Sequence, residues 1–416
     1  MTIAFISKVT KVFIGFIAVQ LSCVCATKFI IKLSDNQINN KLSITQTLNI
    51  QGTHKNAIQS INNFNIGGLS GFLIDTDYTK EELESIDYID QVEEDLEVQL
   101  IPESEFYENE VSISEIYQWG LDRIDQRLLP LDKGNFSPEN NGNGIFIYIL
   151  DTGVRASHNE FGGRVIEGYN FVSDNKDTDD DHGHGTHVAS SAAGKTTGVA
   201  KQATIVPVKV LTKNGGGTWG NIIQGIEWSV NHSKNNNACG IISMSLGGSH
   251  TPFAGLAINN AVNMGVNVVV SAGNSDKDAC NYSPASTESA ITVGSLTSGS
   301  STNLDARSYF SNYGKCVDIF APGSKIYGAS FKSDNEYRVA SGTSMSCPHV
   351  AGALAVFLKQ FSCNAPIDDF LSVSTKDILI DVPDDTVNKI LYTDFSSLPP
   401  PPQTVCPSPF AVSYCN

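Results

Sequence analysis

Five short, almost unbroken apolar runs punctuate the chain between residues 145 and 296: IFIYIL, TIVPVKVL, GIISMSL, VNVVVSA and AITVGSL. Runs of this length without polar alternation predict strands buried on both faces of a parallel sheet. Between several of them lie THVASSAAG, NIIQGIEWSVNHS and AGLAINNAVNMG, whose apolar spacing is helical. The alternation predicts a three-layer α/β/α domain over residues 114–393, with a mainly parallel sheet and a site at the carboxyl ends of its strands.

The pattern upstream is different. KFIIKL reads as a strand, KNAIQSINNF as a helix, LSGFLID as a strand, KEELESI as a short helix and QVEEDLEVQLI as an acidic final strand. This order predicts a small α+β, ferredoxin-like unit within residues 27–113. The unit ends in a polar linker, PESEFYENEVSIS, which lacks periodicity and is open to cleavage. From Asp394 onward the chain is a Pro-rich tail, residues 394–416, expected to be extended.

Composition sharpens the picture. A length of 416 residues with 41% hydrophobic content suffices for one large core and a small second one. The formal net charge of −17 argues against nucleic acid and anionic membrane as partners. Lys8 and Lys11 precede the run VFIGFIAVQLSCV, and Val24 and Ala26 supply the small residues of a cleavage site, so residues 1–26 read as an export signal. That run is short for a membrane span. The expected location is therefore extracellular or an endomembrane lumen such as a vacuole or lysosome. Removal of the signal takes Cys23 and Cys25 and leaves Cys239, Cys280, Cys316, Cys347, Cys363, Cys406 and Cys415, an odd set in an oxidising compartment. Asn135, Asn231 and Asn281 begin N-x-S sequons, two of them followed by proline.

The chemistry is concentrated in four segments. A serine hydroxyl attacks only when a base takes its proton, and the base needs a carboxylate to hold its imidazole. YILDTGV ends a predicted strand on Asp151, and DDDHGHGTHVAS places His184 where a Gly-rich loop enters a helix. VVVSAGN ends another strand on Asn274, whose amide can donate to an oxyanion. SGTSMSCPHVAG places Ser344 at the start of an apolar helix, where a backbone N–H is a second donor. A zinc site on His182, His184 and His187 is a weaker reading, because structural zinc wants a fuller ligand set. His187 and His349 are expected to be hydrogen-bonded structural histidines, and the Asp run at 174–181 a solvated loop, with a calcium contact as the alternative.

DTGV, GHGTHVA, SLGG, SAGN and SGTSMSCPHVAG together resemble the signature segments of the subtilisin-like serine proteases. WGLDRI, NYSPAS and SNYGKCVDIFAPG resemble the proteinase K branch. The resemblance runs from about Trp119 to about Gln360. It implies Asp151 as orienting carboxylate, His184 as base, Ser344 as nucleophile and Asn274 as oxyanion donor. Gly215, Gly216 and Gly217 on one side and Ser245, Leu246 and Gly247 on the other then resemble edges that pair with an extended peptide. Ser271, Ala272 and Gly273, with 245–247, would line the primary pocket. No acidic side chain occurs there, so a broad preference for apolar or aromatic residues is expected. The upstream unit resembles the family's propeptide, which acts as intramolecular chaperone and inhibitor, and so implies an autoprocessed zymogen. The resemblance further implies structural Ca²⁺ held by Asp318 with the carbonyls of Glu288 and Ala290. It also implies a Cys280–Cys316 disulfide, with Cys347 buried and free, no organic cofactor, and a monomer acting on protein or peptide substrates. The alternative is a catalytically silent protein of the same fold that keeps its propeptide. A lipase-like hydrolase is disfavoured, since its serine would precede the aspartate and histidine.

Overall fold

The computed structural model describes residues 26–34, 58–101, 105–107, 117–134, 136–138, 140–299 and 304–399. The export signal up to residue 25, Asn135, Cys406, Cys415 and the tail beyond residue 399 lie outside the described residues.

The first unit comprises β1 (Thr27–Leu33), β2 (Ile58–Ile66), β3 (Leu69–Thr76), α1 (Lys80–Glu84) and β4 (Ile89–Glu94). Its antiparallel sheet has the order β2-β3-β1-β4, the strand order of a ferredoxin-like unit. One expectation fails here. KNAIQSINNF reads as helix because Ile58, Ile61 and Phe64 recur every third residue, yet from Ile58 onward the chain is strand β2. Pairing with β3 decides the outcome, since tertiary partners override a weak local periodicity. Both faces of this sheet are buried. Phe29, Ile31, Phe72, Ile74 and Val92 form a small core with Leu83 of α1. Ile30, Phe64, Ile66 and Leu69 point the other way, into the second domain.

The chain continues through β5 (Glu97–Leu100) and β6 (Glu105–Tyr107). The expected linker is therefore not wholly irregular, because β6 pairs with β19 (Tyr337–Ser341). The second domain then adds α2 (Trp119–Ile124), β7 (Ile145–Asp151), β8 (Tyr169–Asn170), α3 (His184–Ala193), β9 (Thr204–Lys209), β10 (Gly216–Thr218) and α4 (Trp219–Asn235). It goes on with β11 (Cys239–Met244), β12 (Leu246–Ser249), α5 (Pro252–Asn263), β13 (Asn267–Ser271), β14 (Tyr282–Ser283), β15 (Ile291–Gly299) and β16 (Leu304–Arg307). The last elements are β17 (Ile319–Pro322), β18 (Ile326–Ala329), β19, α6 (Thr343–Gln360), α7 (Ile367–Ser372), β20 (Thr375–Lys376) and β21 (Lys389–Ile390).

The central sheet runs β20-β21-β17-β15-β13-β11-β7-β9-β8, with β16 attached to β15. Its core pairings, β9–β7–β11–β13–β15–β17, are parallel. Alternation along β7 explains why the sequence shows no polar positions there. Ile145, Ile147 and Ile149 join one core with α3 and α6, whereas Tyr148 and Leu150 join another with α4 and α5. Each such fully buried side chain contributes about 1.5–3 kcal/mol relative to exposure. This is a layered α/β domain with helices on both faces.

Among the described residues, two disulfides brace it. Cys280 is bonded to Cys316, and Cys239 at the start of β11 is bonded to Cys363 beyond α6. In the chain-entropy picture a loop of 124 residues, as closed by the latter, stabilises by roughly 5 kcal/mol. Sequence reasoning left Cys239 and Cys363 over, because spacing alone does not fix connectivity. Cys347 is buried and unbridged, and burial pushes its thiol up to about 11.

Candidate active site

Asp151 ends β7 and His184 begins α3. Both are buried, and His184 Nδ1–H donates to the Asp151 carboxylate, at 2.8 and 2.9 Å from its two oxygens. With Nδ1 engaged by the carboxylate, proton transfer at this ring would run through Nε2. Gly183, the residue before α3, has φ of 103° and lies where an added Cβ would meet the Phe331 ring at 2.4 Å. Only glycine fits that left-handed, crowded turn.

A second carboxylate organises this corner. Asp180 accepts from Thr152 Oγ1 at 2.9 Å, His182 N at 3.0 Å, Gly183 N at 2.8 Å, Thr186 N at 2.9 Å and Thr186 Oγ1 at 2.6 Å. It thereby satisfies donors at the start of α3, where negative charge is favoured. The Asp run is thus not merely a solvated loop. Asp180 is buried within it, while its neighbour Asp181 is exposed and pairs with the buried Lys209 at 2.6 Å. The signal available in sequence was the threonine at 186, six residues on, as partner for an acid at the helix entrance.

Ser344 sits in the first turn of α6, fully buried, its Oγ 3.4 Å from the carbonyl of Ser245. Pro348 lies in the same helix and has no N–H for the Ser344 carbonyl. Ser245 Oγ supplies the missing donor at 2.9 Å. Asn274 Oδ1 accepts from Thr343 N and Thr343 Oγ1, both at 2.8 Å, and Gly273 N donates to Thr343 Oγ1 at 3.1 Å. The Asn274 amide nitrogen would be 2.8 Å from a Cβ added to Gly342, so the missing side chain lets the two approach closely. Ser271 and Ala272 are buried at the end of β13, with Ala272 O held by Asn312 Nδ2 at 2.8 Å.

The two expected edge strands flank a third. β5 lies antiparallel between β10 and β12, with Gly216 opposite Gln99, Gly217 opposite Val98, Leu246 opposite Leu100 and Gly247 opposite Gln99. Cβ atoms added to Gly215 and Gly216 would stand 3.0 Å from the side chains of Leu100 and Gln99. The bare backbone therefore makes room for the added strand. Carboxylates from the first unit also meet helix entrances in the second domain. Asp95 Oδ1 accepts Gly220 N at 2.7 Å, and Glu93 accepts Thr251 Oγ1 at 2.5 Å. Sequence reasoning missed both acids.

His187 Nε2 lies 3.0 Å from Ile326 O and His349 Nδ1 2.7 Å from Met345 O. Burial holds His187 well below its usual range and pushes His349 down to about 4. His184 and His187 thus engage different partners.

Asp318 and Glu288 line a pocket of about 370 Å³ with Ala285, Ser286, Thr287, Lys315 and Cys316. Ala290 is buried nearby in the chain. Asp318 Oδ2 accepts Thr292 N at 2.8 Å, and burial raises its pKa to about 6. A desolvated carboxylate is a hard oxygen donor of the kind Ca²⁺ takes. Among the described residues no group of three or more His, Cys, Asp or Glu is arranged to hold a metal, so such a site would rest on carbonyls.

Comparison with known proteins adds an independent line. The model of the subtilase family (Peptidase_S8) matches residues 142–380. The chain is 42% identical to Alkaline serine exoprotease A of Vibrio alginolyticus over 78% of its own length and 59% of that protein's. It is 44% identical to the Extracellular serine proteinase of Thermus sp. (strain Rt41A) over 67% of its length and 66% of that protein's. The chain thus spans less than two thirds of either relative. The solved structure of a cold-adapted subtilisin-like serine proteinase superposes with a TM-score of 0.61 at 43% identity, covering 66% of this chain and 98% of that one. The family match across more than half the chain, joined to these identities, places this protein in the subtilase family.

Proposed function

We propose that the protein is a secreted serine endopeptidase that hydrolyses peptide bonds through an acyl-enzyme. The observation that supports this reading is the buried His184–Asp151 pair, together with a buried serine, Ser344, in the first turn of a helix whose preceding Gly342 lies against the Asn274 amide. In this reading His184 takes the Ser344 proton as Oγ attacks the scissile carbonyl, then returns it to the leaving amine. Asp151 fixes the tautomer and stabilises the imidazolium. The Asn274 amide and the Ser344 N–H receive the oxyanion. Incubation with an apolar chromogenic peptide and a serine-directed phosphonate tests it. Cleavage that stops as the reagent labels Ser344 is expected, and an unlabelled, inert protein would refute it.

The first unit reads as an inhibitory propeptide. Its strand β5 occupies the position a substrate backbone would take, and the chain re-pairs at β6 with β19, which ends just before Ser344. Self-cleavage then falls on one of the bonds from Ile101 to Glu105. The filled cleft also favours the second reading, a silent protein with a permanent plug, which the phosphonate separates.

For the pocket at Asp318, we read the carboxylate with the Glu288 and Ala290 carbonyls as the Ca²⁺ ligands. The ion would supply charge compensation to a desolvated acid. Because the folded pKa of about 6 exceeds the ordinary 3.8, the metal-free fold takes up a proton there and loses stability as pH rises between those values. Added Ca²⁺ should therefore raise Tm above about pH 6 and do little near pH 4. Thermal scans in calcium and in chelator check this, with Asp318→Asn expected to remove the calcium dependence.

A further inference from the structure

We propose that His182 is a positioning residue for His184 whose support is withdrawn by a single proton. The inference rests on the peptidase reading, in which His184 is the base. His182 and His184 flank the left-handed Gly183, and this turn brings a ring nitrogen of the first to the backbone N–H of the second. His184 N donates to His182 Nδ1 at 3.3 Å, and the two rings lie 6.4 Å apart, edge to face. His182 is itself held from behind, its N–H on Asp180 Oδ1 at 3.0 Å.

An accepting Nδ1 means that the ring carries its proton on Nε2. A second proton can go only to Nδ1, where it faces the His184 N–H, donor against donor. The contact is then lost. A positive charge also appears 6.4 Å from an imidazole that must itself become positive as Ser344 attacks. At the effective dielectric near a protein surface that repulsion corresponds to about 10- to 100-fold in rate.

The charged groups around His182 set where this occurs. Asp180 on its own loop and Asp151 at the end of β7 favour the proton, whereas His184 of α3 and Arg338 of β19 oppose it. Burial is the largest influence and also opposes it, so the group titrates below the ordinary 6.5. The loss of support therefore belongs to the acid side of the profile.

The test is the pH dependence of kcat/KM, on a peptide without titrating groups, for the purified enzyme, His182→Asn and His182→Ala. Asparagine keeps an acceptor oxygen and cannot titrate. Alanine removes the acceptor. The wild-type acid limb should steepen beyond a slope of one where His182 takes its proton, then return to one once it is fully protonated, since that form keeps a reduced rate. In His182→Asn the slope should be one throughout, and below the steep segment of the wild-type limb its rate relative to its own plateau should exceed wild type by about 10- to 100-fold. His182→Ala should also show slope one, with a lower plateau. A merely structural histidine would shift plateaus and leave the slope alone. Superposition of the wild-type and Asn limbs, each scaled to its plateau, overturns the inference while an active, phosphonate-labelled enzyme keeps the peptidase reading. An inert wild type that takes no label removes both.

Discussion

Replacing Ser344 with alanine should lower kcat by roughly 10⁶, the scale reached when triad groups act as a unit, as in subtilisin itself. The fold should persist, because the lost hydroxyl makes only a 3.4 Å contact with Ser245 O, while Ser245 Oγ still supports the Ser344 carbonyl through the main chain. The same variant should accumulate as uncut precursor when made alone, since no other group would open a bond between Ile101 and Glu105. Mass spectrometry of the secreted product reads both results. Precursor processing in the variant, in a host free of other proteases, would show that cleavage comes from elsewhere. Near-normal turnover would remove Ser344 as nucleophile.

Asn274→Ala should reduce kcat by about 10²–10³ with little change in KM, the loss expected for one oxyanion donor. This residue has two jobs, which a pair of variants separates. In the proposed mechanism its amide nitrogen, which lies against Gly342, donates to the oxyanion, and its Oδ1 holds Thr343 through two bonds of 2.8 Å. Alanine removes both. Asn274→Asp keeps an oxygen for Thr343 and loses the donor, placing a negative charge where the oxyanion forms. If donation carries the effect, Asp should be at least as slow as Ala despite restoring the Thr343 contact. If the effect is mainly the positioning of Thr343, Asp should recover most of the rate. Steady-state kinetics on one peptide substrate decides between them.

What was legible in sequence follows from how each feature is specified. The two-faced strands around Ile147 and Ile241 are written in continuous apolar runs, because opposite neighbours go into opposite cores. Asp151, His184 and Ser344 could each be marked, since each sits where a strand ends or a helix begins, whereas Asn274, expected at the end of a strand, lies three residues beyond β13. Strand β2 was not legible, for its apolar residues fall at a spacing that a helix would also produce. Asp180 was hidden among neighbouring aspartates, and only the folded loop shows which one turns inward to the Thr186 hydroxyl. Asp95 and Glu93 looked like ordinary surface acids. Their partners, Gly220 N and Thr251 Oγ1, lie more than a hundred residues away, beyond any local pattern.

The bond between Cys239 and Cys363 bears on how such an enzyme survives its own chemistry. The segment it encloses contains Asn274 and Ser344, whereas Asp151 and His184 lie outside it. A chance cut in an exposed turn of that segment would leave both ends covalently attached to the same molecule. Ser344 and His184 would stay in one particle instead of diffusing apart, and the nicked chain would still have its packed sheet to hold the break closed. Self-digestion at such a turn then yields a scar rather than two fragments.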